Sequence, residues 1–138
     1  MALKNLIPML NVSDIEASLE FYRDAFDFAV VSNPAAVKQW GWATIRSGWT
    51  EMMLSQTRSP PRPGPRVNPH SSSAWPVIFY FYPDDVARLY AQVIARGFEP
   101  SALQDTVYGM REFSLQDPDG HMLSFGQETG QADGEQRL

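Results

Sequence analysis

The strongest constraint on this chain is that its pattern occurs twice. "LIPMLNVSDIEASLEFYRDAFDF" and "VIFYFYPDDVARLYAQVIARGFEP" share one order of features: an apolar strand, an acidic helix start, an amphipathic helix and a segment opened by phenylalanine. The spacing from Asp14 to Phe28 nearly matches that from Asp85 to Phe98. A repeat of about 70 residues means two copies of one supersecondary unit. Each copy continues into further short strands. The expected fold is therefore α+β: two βαβββ modules forming a curved mixed-sheet cleft, with the helices on the convex face.

Helical spacing puts Ile15, Leu19, Tyr22 and Phe26 on one face of the first helix. Ser13 followed by Glu16 has the form of a capping box. Val86, Leu89, Tyr90, Val93 and Ile94 form the second helix, which Gly97 closes. Asp14 and Asp85 are assigned to the helix starts. Strands are expected at Leu3 to Val12, Phe28 to Ser32, Lys38 to Arg46, Thr50 to Gln56, Trp75 to Tyr82 and Phe98 to Ala102. Alternation along the third would put Trp40, Trp42 and Thr44 on one face. Phe113 to Gln116 and Met122 to Phe125 flank Asp117-Pro118-Asp119-Gly120 and predict a β-hairpin, with those four residues serving turn geometry.

The segment "TRSPPRPGPRVNPHSSSA" carries five prolines and no apolar periodicity. It reads as a loop joining two halves, since neither half is long enough for a comfortable independent core. The expected layout is one domain over residues 1–138: module one at about 3–56, the loop at 57–74, module two at about 75–127, and a polar tail at 128–138.

Composition narrows the function classes. The chain has no cysteine, which removes disulfides, thiolate metal sites and a cysteine nucleophile. Its net charge of −5 argues against nucleic acid and suits solubility or a cationic ligand. No apolar run approaches the roughly 18 residues of a membrane span, so no membrane partner and a cytoplasmic location are expected. Nucleophile elbows, phosphate-binding glycine loops and His-Glu-x-x-His are missing from the sequence. Glu51 and Glu112 make only a thin case for an acid–base pair without an electrophile beside them.

The two repeated segments resemble the openings of modules in the glyoxalase/bleomycin-resistance/dioxygenase, or vicinal oxygen chelate, superfamily. "YGMREFSLQDPDGHMLSFGQ" resembles the closing hairpin, above all in bleomycin-resistance-type proteins. The resemblance spans residues 4 to 127. It implies a cleft that holds one divalent metal in the enzymes of the family. The corresponding ligand positions fall on Ile7, Glu51, Ile78 and Ser124, of which three lack a competent ligand. His70 lies in the proline-rich loop and His121 beside the hairpin turn, so neither replaces them. No metal and no other cofactor is expected, and no catalytic residue is assigned.

In the same frame the concave faces carry Met9, Asn11, Trp40, Trp42, Glu51, Met53, Tyr80, Tyr82, Glu112 and Met122. Met9, Trp40, Trp42, Glu51, Met53, Tyr80, Tyr82 and Glu112 are the expected ligand-binding residues: an adaptable apolar lining with interspersed carboxylates. Arg111 is expected to pair with a nearby carboxylate. The resemblance implies a non-catalytic binding protein that sequesters a bulky aromatic or cationic small molecule, antibiotics being the candidates, at a homodimer interface with exchange of the N-terminal strand. The alternatives are a metal-dependent glyoxalase, lyase or dioxygenase of the same superfamily, and an accessory module with no small ligand.

Overall fold

The computed structural model describes residues 1–57 and 75–130. His70, nearly all of the proline-rich loop and the end of the polar tail lie outside the described residues. The chain divides into two compact units, Met1–Arg62 and Pro63–Leu138.

The first unit runs β1 (Met9–Val12), α1 (Ile15–Phe26), β2 (Ala29–Val30), α2 (Ala35–Trp40), β3 (Trp42–Ser47) and β4 (Thr50–Gln56). The second runs β5 (Phe79–Phe81), α3 (Val86–Ala95), β6 (Gln104–Asp105), β7 (Met110–Gln116) and β8 (Met122–Glu128). The strand orders are β1-β4-β3-β2 and β5-β8-β7-β6. In both sheets the first strand pairs parallel to the last, and the other pairs are antiparallel. These are two βαβββ modules in an α+β fold, the first with an added short helix.

In β1, β3 and β4 alternation decides which side is buried, whereas the middles of β7 and β8 are buried on both sides. In the first unit Leu10 and Val12, Ala43 and Ile45, and Met52 and Leu54 are buried, as are Ile15, Ser18, Tyr22, Ala25 and Phe26 of α1. The helix packs on β4. Burying one such leucine or isoleucine contributes about 1.5–3 kcal/mol. In the second unit α3 packs on β7 and β8. Phe113 and Phe81 each stack on Phe125 with centroids 5.0 Å apart. Tyr90 of α3 meets Phe113 edge-on at 5.3 Å.

Both helices enter by the same device. Asp14 and Asp85 have extended backbones and accept hydrogen bonds from Ala17 N (3.2 Å) and Arg88 N (3.1 Å). Gln56 Oε1 accepts from Ile15 N at 2.9 Å, and Gln127 Oε1 accepts from Val86 N at 2.8 Å. Each glutamine thus joins the end of the last strand to the first helical residue and satisfies an amide that the helix cannot. Gln127 Nε2 also donates to Asp84 O at 2.9 Å. The exits match as well. Asp27 (φ 60°) and Gly97 (φ 92°) are left-handed. Phe28 N and Phe98 N then donate back to Tyr22 O and Val93 O, which satisfies carbonyls left open at the helix ends.

Several expected boundaries move. The N-cap of α1 is Asp14, not Ser13. β1 begins at Met9 rather than Leu3, and β5 spans only Phe79–Phe81 of the expected Trp75 to Tyr82, with Pro76 early in that stretch. Lys38 to Trp40 is helical, not extended. Asn33 Oδ1 accepts from Ala35 N at 3.1 Å to start α2. The two alanines favour helix, and Gly41, in the left-handed region, ends it. Phe98 to Ala102 is not a strand. Ser101 N donates to Ser114 O, and Ser101 Oγ accepts from Ser114 N, each at 2.8 Å, so a side chain stands in where a ladder acceptor would be. β8 continues through Glu128, so Glu128 belongs to the fold rather than to a tail.

The hairpin turn is built around a buried carboxylate. Asp117 Oδ1 accepts from Asp119 N (3.0 Å) and His121 N (2.8 Å), and Oδ2 lies 2.8 Å from His121 Nδ1. The hydrogen bond to Asp117 raises the His121 pKa above its ordinary range, against the opposing effect of burial.

Two outcomes follow from these contacts. Gln127→Ala should lower unfolding free energy by about 1–3 kcal/mol, the usual value of two lost intramolecular hydrogen bonds; an unchanged urea midpoint would refute the clamp. The raised His121 pKa stabilises the fold fully below the imidazole's unfolded value and loses that contribution as pH rises through the folded value. Urea stability should therefore decline as pH rises above about 6.5, the ordinary imidazole value, and His121→Gln should flatten that decline.

Candidate functional site

With one side of each sheet buried under its helix, period-two alternation assigns the other side. In the first unit the register aligns Met9 with Met53 and Thr44, and Asn11 with Ser55 and Trp42. Glu51 pairs across to Arg46 on this same side. Met9, Trp42, Glu51 and Met53 therefore share a face. Trp40 does not: it is the last residue of α2, 71% exposed, and lies off the sheet. The Glu51 carboxylate accepts from Arg46 Nε at 2.9 Å and also from Nη2 of the same guanidinium.

In the second unit the face opposite α3 carries Tyr80, Glu112, Ser114, Met122 and Ser124, with Gly126 across from Glu112. Glu112 is only 6% exposed. Tyr80 Oη donates to its Oε2 and Tyr108 Oη to its Oε1, both at 2.7 Å. Burial first, then the hydrogen bond to Glu112, raise both phenol pKa values; that of Tyr108 is pushed up to about 12. Both phenols therefore remain neutral donors across the physiological range. The Tyr82 ring lies 5.2 Å from that of Tyr80. A Cβ at position 126 would overlap the Tyr80 hydroxyl. Only glycine there lets the phenol lie across β8 to reach Glu112.

Sequence reasoning missed Tyr108 and Gly126. Both carried a signal. A glycine inside the apolar run of β8 marks a close approach, and Tyr108 lies just across Gly109 from the strand that bears Glu112. Arg111 faces the other way and pairs with Asp105 through Nε (2.7 Å) and Nη2 (3.2 Å).

The positions to which the resemblance assigns metal ligands do not carry a metal-binding donor set. Ile7 and Ile78 have no donor atom. The Ser124 hydroxyl shares a 2.8 Å hydrogen bond with Ser114. The register also revises the remaining position. Ser124 pairs with Tyr80 as Met53 pairs with Met9, so Met53 is the first unit's counterpart of Ser124, and Glu51 lies further along the same face. A thioether in place of a carboxylate is a poor ligand for zinc, nickel or iron. Among the described residues no three His, Cys, Asp or Glu side chains converge.

The sequence model of the Glyoxalase/Bleomycin resistance protein/Dioxygenase superfamily matches residues 6–125. No curated protein sequence matches the chain. Among solved structures, TioX from Micromonospora sp. ML1 superposes with a TM-score of 0.70 at 18% identity, over 91% of this chain and 98% of that one. A bleomycin resistance determinant encoded on the transposon Tn5 gives 0.66 at 22% identity, over 91% and 98%. A bleomycin-binding protein complexed with bleomycin gives 0.62 at 23% identity, over 91% and 99%. At these identities the likeness is one of fold.

A chelator tests the donor argument. Excess EDTA should leave the melting temperature unchanged, because these positions supply no metal-linked folding energy. A drop in melting temperature that one divalent ion reverses would contradict the assignment.

Proposed function

This chain belongs to the Glyoxalase/Bleomycin resistance protein/Dioxygenase superfamily, and from that premise we propose that it is a non-catalytic small-molecule binding protein. Its ligand is a bulky aromatic or cationic compound of the antibiotic class, held at a homodimer interface in the cytoplasm. The observation that carries the reading is the exchange of donors for lining at the family's metal positions: Ile7, Met53, Ile78 and Ser124, with Glu51 committed to Arg46. Within each unit, side chains on the same sheet face suit binding. Trp42 and two methionines offer polarisable apolar surface, and Tyr80 and Tyr82 offer aromatic faces. The solved bleomycin-binding protein complexed with bleomycin supports the class of ligand.

Dimerisation has a physical motive in the exposed apolar side chains. Met9, Val30 and Val31 lie open in the first unit, as do Leu3 and Leu6 ahead of β1. A surface of this kind is ordinarily covered. Exchange of the segment before β1 between subunits would cover it.

The proposal is tested by titrating the protein with bleomycin while tryptophan fluorescence is followed. Quenching is expected, and Trp42→Ala should weaken binding by about tenfold, from aromatic stacking plus a cation–π contribution. Trp40→Ala should weaken it much less, because that ring lies off the sheet face. Equal losses in both variants, or turnover of the ligand, would defeat the proposal.

A further inference from the structure

Glu112 is a puzzle in purely structural terms. Its side chain is buried, with the residue only 6% exposed. A carboxylate is costly to desolvate, and an apolar residue would fill a sheet position at less cost. Yet the surrounding residues are arranged for it. Both oxygens receive a phenol O–H at 2.7 Å. Gly126 leaves the space without which Tyr80 could not lie there. The phenols are not buried with the carboxylate: Tyr80 is 36% exposed and Tyr108 52%, and the neighbouring Tyr82 is 76% exposed. Arg111 on the same strand faces the opposite side and is tied to Asp105.

We propose that Tyr80, Tyr108 and Tyr82 form a recognition site for an organic ammonium group, with Glu112 supplying its charge through the two phenols rather than by direct contact. The inference rests on the binding reading above and names the chemistry of the ligand. A phenol has one proton to donate. Tyr80 and Tyr108 give theirs to Glu112, so each hydroxyl has only acceptor capacity left, part of which at Tyr108 is taken by the Thr106 side chain. The hydrogen bond to a carboxylate also leaves each ring richer in electrons. Such a surface attracts cations and N–H donors and repels anions. An ammonium group seated against Tyr80 and Tyr82, whose centroids are 5.2 Å apart, would meet aromatic faces as cations do in aromatic cages.

The test uses the full chain and a matched pair of probes, choline and its uncharged isostere 3,3-dimethylbutan-1-ol, titrated by NMR. Choline should bind about tenfold more tightly, on the order of the cation–π and charge contributions together. The shifts should centre on Tyr80, Tyr82, Tyr108 and Gly126. Glu112→Gln should collapse the preference for the cation while leaving the alcohol's affinity unchanged. Should that variant fail to fold, the Tyr80→Phe/Tyr108→Phe double variant keeps the rings and removes the hydroxyl link, and the preference should fall in the same way. Equal affinity for the two probes in the native protein would overturn the proposal, as would a cation preference that survives in both variants. Failure of the broader reading looks different: choline is discriminated but bleomycin does not bind.

Discussion

One glutamine in each unit joins the helix to the end of the last strand. Gln56 and Gln127 accept from the first helical amide, while Asp14 and Asp85 cap an amide further into the first turn. The aspartate sets the angle at which the chain enters the helix; the glutamine fixes the helix to a strand at the sheet's centre. With the helix held against one side, period-two alternation leaves no freedom on the other. Met9, Trp42, Glu51 and Met53 must lie on the face away from α1, and Tyr80, Glu112 and Met122 on the face away from α3. The repeated clamp is therefore what places the candidate ligand surface.

The two faces are built from different chemistry on the same register. The first unit offers an indole and thioethers, with its carboxylate neutralised by Arg46. The second offers phenols over a buried carboxylate. Met9 and Tyr80 occupy equivalent places, as do Met53 and Ser124. At each pair the repeat keeps the backbone position while the side chains diverge. The backbone's demands are met by pairing and caps, which leaves the side chains at these positions free to differ.

Much of the fold was legible because the repeat, the two amphipathic helices and the Asp-Pro-Asp-Gly turn are local patterns. β4 at Thr50–Gln56 and helix α1 ending at Phe26 coincide with the sequence reading. The misreadings have physical causes. Trp40 and Trp42 alternate like strand residues, yet Asn33 and Gly41 act as helix start and stop signals, and together they convert the first tryptophan's segment to a helix. Ser13 and Asp14 are both good caps, and only backbone geometry separates them. At Ser101 a side chain replaces a ladder bond, which no periodicity encodes. Of the site, Glu112, Tyr80 and Tyr82 could be named from alternation. The dependence of Tyr80 on Gly126 is a contact across the sheet, and the role of Tyr108 depends on how the chain turns at Gly109. Both need the register before they can be seen.

The central claim is that this member of an otherwise often catalytic superfamily binds without transforming. The most direct measurement is to incubate the protein with bleomycin, denature the complex and analyse the released compound by liquid chromatography and mass spectrometry. The account predicts quantitative recovery of bleomycin with unchanged mass, in an amount that tracks the protein. Time-dependent conversion to a product of different mass, abolished by a chelator, would contradict it.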